Sequence, residues 1–159
     1  MAQDIEIADA DKKYEEQVLL IKRVTKKTTG GNAMSFCALV VVGDKVGQVG
    51  VGLGRAHEVP PAIKKAIVQA KRNMITVPLN KSTIPHDIQL KYKAAKIMLK
   101  PAPAGTGLKV GSVVRAILEF GGVKDVSGKV MGSRNQIVNA YAVMRALSHL
   151  NTRVVKTKK

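Results

Sequence analysis

Residues 36–66 read FCALVVVGDKVGQVGVGLGRAHEVPPAIKKA, and this stretch decides the fold. Residues 35–42 are almost all apolar, which predicts a buried strand, and Gly43-Asp44-Lys45 predicts the turn that follows it. In residues 46–54, VGQVGVGLG, apolar side chains alternate with glycines, so that one face of the next strand is apolar and the other is bare backbone. Alternating glycines inside a strand favour close approach of another backbone.

The acid and the prolines of Glu58-Val59-Pro60-Pro61 predict the start of a helix, because both are tolerated in a first turn. Its predicted apolar stripe, at helical spacing, consists of Val59, Ile63, Ala66, Ile67, Ala70 and Met74. Its predicted basic side consists of Lys64, Lys65, Lys71 and Arg72. Upstream, residues 18–25 have a strand composition, and residues 26–32, KKTTGGN, predict an exposed hairpin tip. The first unit is therefore three strands followed by one helix, which Val77-Pro78 closes.

A second unit begins near residue 83. Strict alternation predicts strands over residues 86–92 and 95–100, and PAPAGTG at residues 101–107 predicts a loop. A helix is expected over residues 113–120, with Ser112 as its cap, and a further strand over residues 123–130. The last helix, capped by Ser133 or Asn135, has a predicted inward face of Ile137, Ala140, Tyr141, Met144 and Leu147.

The predicted fold class is α+β, with two small basic units. We place an acidic flexible arm at residues 1–16, domains at residues 17–80 and 81–150, and a basic tail at residues 151–159. The chain has 27 basic and 11 acidic residues, and six of the acids but only two of the bases fall in the arm. The remaining residues therefore carry a net charge of +20, which indicates a polyanionic partner.

Structured RNA is the favoured partner. Aromatic residues make up only 3% of the chain, which argues against single-strand binding by base stacking. The sequence contains no helix-turn-helix or zinc-binding pattern, so nothing in it favours DNA over RNA. A free double-stranded-RNA-binding or RNA-chaperone protein, working outside any particle, is the alternative hypothesis, and an enzyme that acts on RNA is a more distant one.

No enzymatic activity, cofactor, metal site or small-molecule substrate is expected. The glycine strand lacks the G-x-G-x-x-G spacing of a nucleotide-binding turn. His57, His86 and His149 lie in three different elements without metal-ligand spacing. The longest apolar run is far shorter than the roughly 18 residues that a membrane span needs. The single cysteine, Cys37, and the absence of a leader pattern favour the cytoplasm.

Four motifs together resemble one known family. They are residues 36–66 quoted above, TIPH at 83–86, KPAPAGTGLKVGSVVRAILEFGGV at 100–123 and GSRN at 132–135. In this order and almost without gaps, they resemble small-subunit ribosomal protein five. The resemblance covers residues 17 to about 150, and it is specific because several motifs coincide.

The resemblance implies an N-terminal domain like a double-stranded-RNA-binding fold and a C-terminal domain of four strands and two helices. It implies a structural constituent of the small ribosomal subunit that binds ribosomal RNA and contacts neighbouring proteins four and eight. A role in decoding accuracy and a place beside the messenger RNA entry path are also implied.

The resemblance also implies site residues. The RNA-inserting hairpin falls on residues 23–32, and a further basic cluster lies at the end of the glycine strand and on the helix that follows. The expected ribosomal RNA contacts are Lys22, Arg23, Lys26, Lys27, Gly30, Gly31, Asn32, Arg55, Lys64 and Lys65. The expected protein interface consists of Gly105, Thr106, Gly107 and Arg115.

The chain departs from the family pattern at four positions. Thr29 and Asn32 stand where the family has basic residues around the glycine pair, so phosphate contacts are expected to shift to Lys26 and Lys27. His57 replaces a usual arginine, and Gln136 replaces a common proline before the last helix.

Overall fold

The computed structural model describes residues 14–150. The predicted tail and most of the predicted arm lie outside this range. The first strand begins at Glu15, so the last two residues predicted for the arm belong to a sheet instead. There Glu15 pairs with Gly43 and Glu16 with Val42.

The first sheet has four antiparallel strands in the order β1-β2-β3-β4. They are β1 (Glu15–Thr28), β2 (Gly31–Gly43), β3 (Gln48–Ala56) and β4 (Met74–Thr76). Helix α1 (Val59–Arg72) connects β3 to β4. The prediction of three strands missed β4, which follows the helix directly and pairs with the start of β3. A turn follows β2 as predicted, but it spans residues 44–47, because Gly43 belongs to the strand. The Asp44 carboxylate accepts hydrogen bonds from the three N–H groups of Val46, Gly47 and Gln48.

The glycine face of β3 packs against α1, as the alternation predicted. A Cβ atom at Gly50, Gly52 or Gly54 would overlap backbone carbonyl oxygens of the helix. These carbonyls belong to Ala70, Ala66 and Ala62, which are also the three fully buried residues of α1. The predicted stripe was therefore partly wrong. It omitted Ala62 and included Met74, which belongs to β4, because a helix that lies on bare backbone needs its smallest residues at the contact.

The second sheet has four strands in the order β5-β6-β8-β7. They are β5 (Ile88–Tyr92), β6 (Ala95–Pro101), β7 (Leu108–Lys109) and β8 (Val126–Met131), and only the β7–β8 pair is parallel. Two helices, α2 (Ser112–Phe120) and α3 (Gln136–Ser148), complete this half. The cap predicted for α2 was wrong, because Ser112 is the first helical residue and Gly111 is the N-cap, whereas Asn135 caps α3 as predicted. The fold class is α+β, and the four strands and two helices implied for the second half are confirmed.

The apolar face of the first sheet and both helices of the second half share one core. Leu39 and Val51 belong to the same buried cluster as Ile117 and Leu147. The inward face predicted for α3 is confirmed at Ala140 and Leu147, which are buried, and at Ile137 and Met144, which are half-buried and pack against this core; it was wrong at Tyr141, which is half-buried and does not belong to that set. The helix buries Asn139, Ala140, Ala142, Val143, Ala146 and Leu147. None of the helices in residues 14–150 has the length and apolar character needed to cross a membrane.

Candidate nucleic-acid interface

Beyond the body of the first sheet, β1 and β2 continue as a two-stranded ribbon. Strand β3 pairs with β2 only as far as Phe36, whereas the β1–β2 ladder continues to Thr28 opposite Gly31. The turn is only Thr29-Gly30, so most of the segment predicted as a loop is ordered strand. Every residue from 25 to 34 is exposed, because no other element covers the ribbon.

The ribbon and its base carry the basic residues predicted for RNA contact. Lys22 and Lys26 pair with Cys37 and Ala33, and the alternate residues Arg23 and Lys27 pair with Phe36 and Asn32. Side chains at alternate positions point to opposite faces of a strand, so cations project from both faces of the ribbon. All four are exposed, as are the tip residues Gly30, Gly31 and Asn32.

Basic side chains from three elements lie close together where the ribbon joins the sheet. Lys26 of β1, Arg55 of β3 and Lys65 of α1 line one cleft of about 290 Å³. The other lining residues are Ala33, Met34, Ser35, Ala56 and His57. No acid is among the lining residues in the described part of the chain, so a negatively charged group entering the cleft meets no repulsion there. We call this site the basic cleft.

Two hydrogen bonds fix the wall of the basic cleft. The Arg55 Nε–H donates to the Ser35 hydroxyl at 2.9 Å, and Ser35 is itself buried. The His57 ring nitrogen Nδ1 lies 3.3 Å from the Met34 carbonyl oxygen. The arginine is therefore held in the cleft wall by its Nε, and this hydrogen bond does not use its terminal nitrogens. His57, which departs from the family pattern, still lines this site.

The basic surface continues over the outer face of α1. Lys65 also lines a second, larger hollow of about 540 Å³, with Lys64, Val68, Gln69, Arg72 and Asn73. The sequence grouped Lys71 with this side, but Lys71 forms an ion pair at 3.4 Å with Glu16 of β1. Lys64 and Arg72 therefore extend the basic cleft, and Lys71 instead joins α1 to the first strand.

The loop predicted as a protein interface is held by a buried carboxylate that the sequence analysis missed. Asp125, 5% exposed, accepts hydrogen bonds from the N–H groups of Gly105 at 3.0 Å and Gly107 at 2.9 Å. A hydrogen bond from the Ser82 side chain, together with these N–H groups, holds the pKa of Asp125 below its ordinary value. The carboxylate is therefore ionised at neutral pH and fixes the loop.

Gly105 and Gly107 both have a positive φ, and a Cβ atom on either would meet nothing within 4 Å. The loop presents open backbone with Thr106 between the two glycines. Arg115 lies exposed in α2, and within residues 14–150 no hydrogen bond or ion pair connects it to this loop. The hydrogen bonds of Asp125 therefore group Gly105 with Gly107, and Arg115 is not part of that described network.

Nothing in residues 14–150 groups three or more potential metal ligands. His57 contacts Met34 and His149 contacts the carbonyl of Arg145, so these two histidines have separate local roles. The alternating glycines of β3 are accounted for by α1.

The fold and the basic cleft define a class: a small, basic α+β protein whose surface is suited to contact with a polyanion. The family described as "Ribosomal protein S5, N-terminal domain" matches residues 14–78, and "Ribosomal protein S5, C-terminal domain" matches residues 90–158. The chain therefore belongs to the ribosomal protein S5 family. It is a structural protein of the small ribosomal subunit and not an enzyme.

Curated relatives agree with this assignment. The chain is 52% identical over 140 residues to "Small ribosomal subunit protein uS5" of Thermus thermophilus, which covers 88% of this chain and 86% of the relative. It is 48% identical over 145 residues to the protein of the same name from Mycoplasmopsis agalactiae, which covers 91% of this chain and 63% of that relative. "Small ribosomal subunit protein uS5c" of Spinacia oleracea is 51% identical over 135 residues, covering 84% and 44%.

Proposed function

We propose that this protein binds ribosomal RNA of the small subunit through the β1–β2 ribbon and the basic cleft. The observation that carries the proposal is the convergence of Lys26, Arg55 and Lys65 from three elements on one cleft without acids among its described residues. Neutralising phosphates with such cations supplies much of the affinity for nucleic acid. A solvated surface normally mixes both signs of charge, and this surface does not.

Contact with the neighbouring small-subunit proteins four and eight is the second part of the proposal. The braced loop at Gly105–Gly107, together with Arg115, is the surface proposed for it. Open backbone lets a partner approach closely, and the Asp125 hydrogen bonds keep the loop in one conformation. We propose further that this contact supports decoding accuracy and lies beside the messenger RNA path. The ribosome in this proposal is a cytoplasmic one. The chain is proposed to form two domains, at residues 17–80 and 81–150.

The RNA-binding proposal is tested by the salt dependence of binding. We expect the triple variant Lys26→Ala, Arg55→Ala, Lys65→Ala to bind small-subunit ribosomal RNA about 10- to 100-fold more weakly at low salt. The slope of log K against log salt falls by about one for each lost phosphate contact. Filter binding of the full chain over a range of salt concentrations measures both quantities.

A matched triple variant removes the same charge elsewhere. Lys91, Lys100 and Lys129 are exposed bases on the second sheet, outside the basic cleft. Changing these three to Ala should alter the slope less than the cleft variant does. Equal slopes for the two triple variants would show that total charge, and not the basic cleft, determines binding.

A further inference from the structure

A third cavity, of about 290 Å³, lies where α2 and α3 begin. Its lining residues are Gly111, Ser112, Val113, Val114, Val130, Ser133, Arg134, Gln136 and Asn139. Three of them, Ser133, Arg134 and Gln136, belong to or directly follow the GSRN motif, which the proposed function leaves unexplained. We call this site the helix-start cavity.

The start of α2 supplies hydrogen-bond donors to the helix-start cavity. The first N–H groups of a helix have no partner within the helix, and they carry a partial positive charge. The N-cap residue of α2 is Gly111, which has no side chain to accept from them, and no acid lies in the first turn. Arg134 at the rim adds a cation. An anion is therefore the ligand that these groups would bind.

Two residues that line the helix-start cavity hold amide oxygens without a hydrogen-bond partner. Asn139, 8% exposed, donates from Nδ2 to the Ser133 carbonyl at 3.2 Å, but its Oδ1 is buried without a partner. The Gln136 Oε1 is likewise buried without a partner. A buried acceptor without a hydrogen bond is costly. The cavity therefore suits a ligand that carries a hydrogen-bond donor beside its anionic group.

The loop that forms the cavity wall is fixed by Gly132. Its φ is +83°, and a Cβ atom there would overlap the carbonyl oxygen of Ala94. The Ser133 hydroxyl accepts from the Asn135 N–H, and Asn135 caps α3 by accepting from the Ile137 N–H. One N–H group at the start of α3 therefore has a side-chain cap, whereas α2 has none.

We infer that the helix-start cavity binds one ribose-phosphate unit of an RNA backbone. The phosphate oxygens accept from the N–H groups of Ser112–Val114 and from Arg134, and the ribose 2′-hydroxyl donates its one proton to the amide oxygen of Asn139. This inference rests on the proposed function, because it names a second RNA contact of the same protein. RNA fits better than a protein carboxylate, since the ribose 2′-hydroxyl brings a donor for the Asn139 oxygen and a carboxylate has none.

The test is an NMR titration of the ¹⁵N-labelled full chain with ribose 5-phosphate and, separately, 2-deoxyribose 5-phosphate. We expect saturable shifts of the Ser112, Val113 and Val114 amide signals. The deoxy compound should bind about threefold to tenfold more weakly, because one hydrogen bond is lost. Arg134→Gln should weaken binding of ribose 5-phosphate about tenfold, whereas Lys129→Gln, an exposed base on β8 outside the cavity, should leave it unchanged.

Several outcomes would overturn the inference. Equal affinity for the two sugar phosphates would show that the ribose 2′-hydroxyl makes no contact in the cavity. Tighter binding of N-acetylaspartate than of ribose 5-phosphate would indicate that the ligand is a protein carboxylate. In a titration with small-subunit RNA, the amide signals of the ribbon residues 25–34 could shift while those of α2 do not change. That result would refute this site and would leave the proposed function intact. If the RNA changes neither the ribbon nor the α2 amide signals, both this inference and the proposed function are refuted.

Discussion

Two groups of glycines in this protein have opposite surroundings. In β3, a side chain at Gly50, Gly52 or Gly54 would overlap the backbone of α1. At the ribbon tip and in the loop at Gly105–Gly107, an added Cβ atom would meet nothing within 4 Å. The first group is required by packing and the second lies open. Substitution at the first therefore tests the fold, and substitution at the second tests what the surface contacts.

The largest effect is expected at Gly52. Its Cβ would overlap the carbonyl oxygen of Ala66, which is backbone and cannot swing aside. We expect Gly52→Ala to lower the free energy of unfolding by about 3 kcal/mol, as for severe overpacking. Urea denaturation of the full chain measures this change.

The matched control for Gly52→Ala is Gly30→Ala at the open ribbon tip. It should stay within about 0.5 kcal/mol of the parent protein. Similar losses in the two variants would contradict the contrast between the packed and the open glycines.

The next effect concerns the carboxylate that holds the open loop. Asp125→Asn replaces an acceptor of several N–H groups with an amide that can also donate. We expect faster hydrogen exchange at the Gly105 and Gly107 amides and unchanged affinity for RNA. Hydrogen exchange followed by NMR, with filter binding in parallel, checks both. Unchanged exchange at these two amides would contradict the bracing role of Asp125.

Protonation of Asp125 at low pH should weaken the same hydrogen bonds to Gly105 and Gly107. The pKa of Asp125 is lowered from 3.8 in the folded protein, so its contribution is present above that value and is lost as the pH falls through the lower folded-state pKa. The difference in unfolding free energy between the parent protein and Asp125→Asn should therefore be constant at neutral pH and shrink below pH 3.8. A difference that instead grows in acid would contradict a lowered pKa.

A smaller loss of stability than at Gly52, together with an effect on function, is expected at Gly107. Its φ of +73° costs a residue with a side chain about 1–2 kcal/mol, but the space around it is open. We expect Gly107→Arg to leave the protein folded and to change misreading rates in ribosomes that contain it. A reporter of decoding errors measures this. Parental accuracy in an intact particle would contradict the proposed interface at this loop.

The sequence predicted those parts of the fold that have long patterns. The glycine alternation predicted the packed face of β3, and alternation predicted β5 and β6. Strand β4 has three residues and β7 has two, so neither is long enough to show a period. The ribbon was interpreted as a loop because its exposed strands are polar on both faces, which leaves no alternation to detect.

Local sequence could not reveal sites that depend on tertiary contacts. The basic residues were predicted individually, but the basic cleft exists only because β1, β3 and α1 meet. Asp125 acts on Gly105 and Gly107 across 20 and 18 residues of chain. Its only sequence signal was an acid in a region with few acids, and a buried partner cannot be inferred from that signal alone.

Sucrose-gradient sedimentation tests whether this protein is held in the small subunit by its RNA contacts and its shape. Lysate containing the tagged full chain is run at low and at high salt. We predict that the parent protein migrates with the small subunit at both salts, and that the Lys26, Arg55, Lys65 triple variant is released at high salt. Release of the parent protein into the free fraction at moderate salt would contradict the account and would favour a free RNA-binding protein.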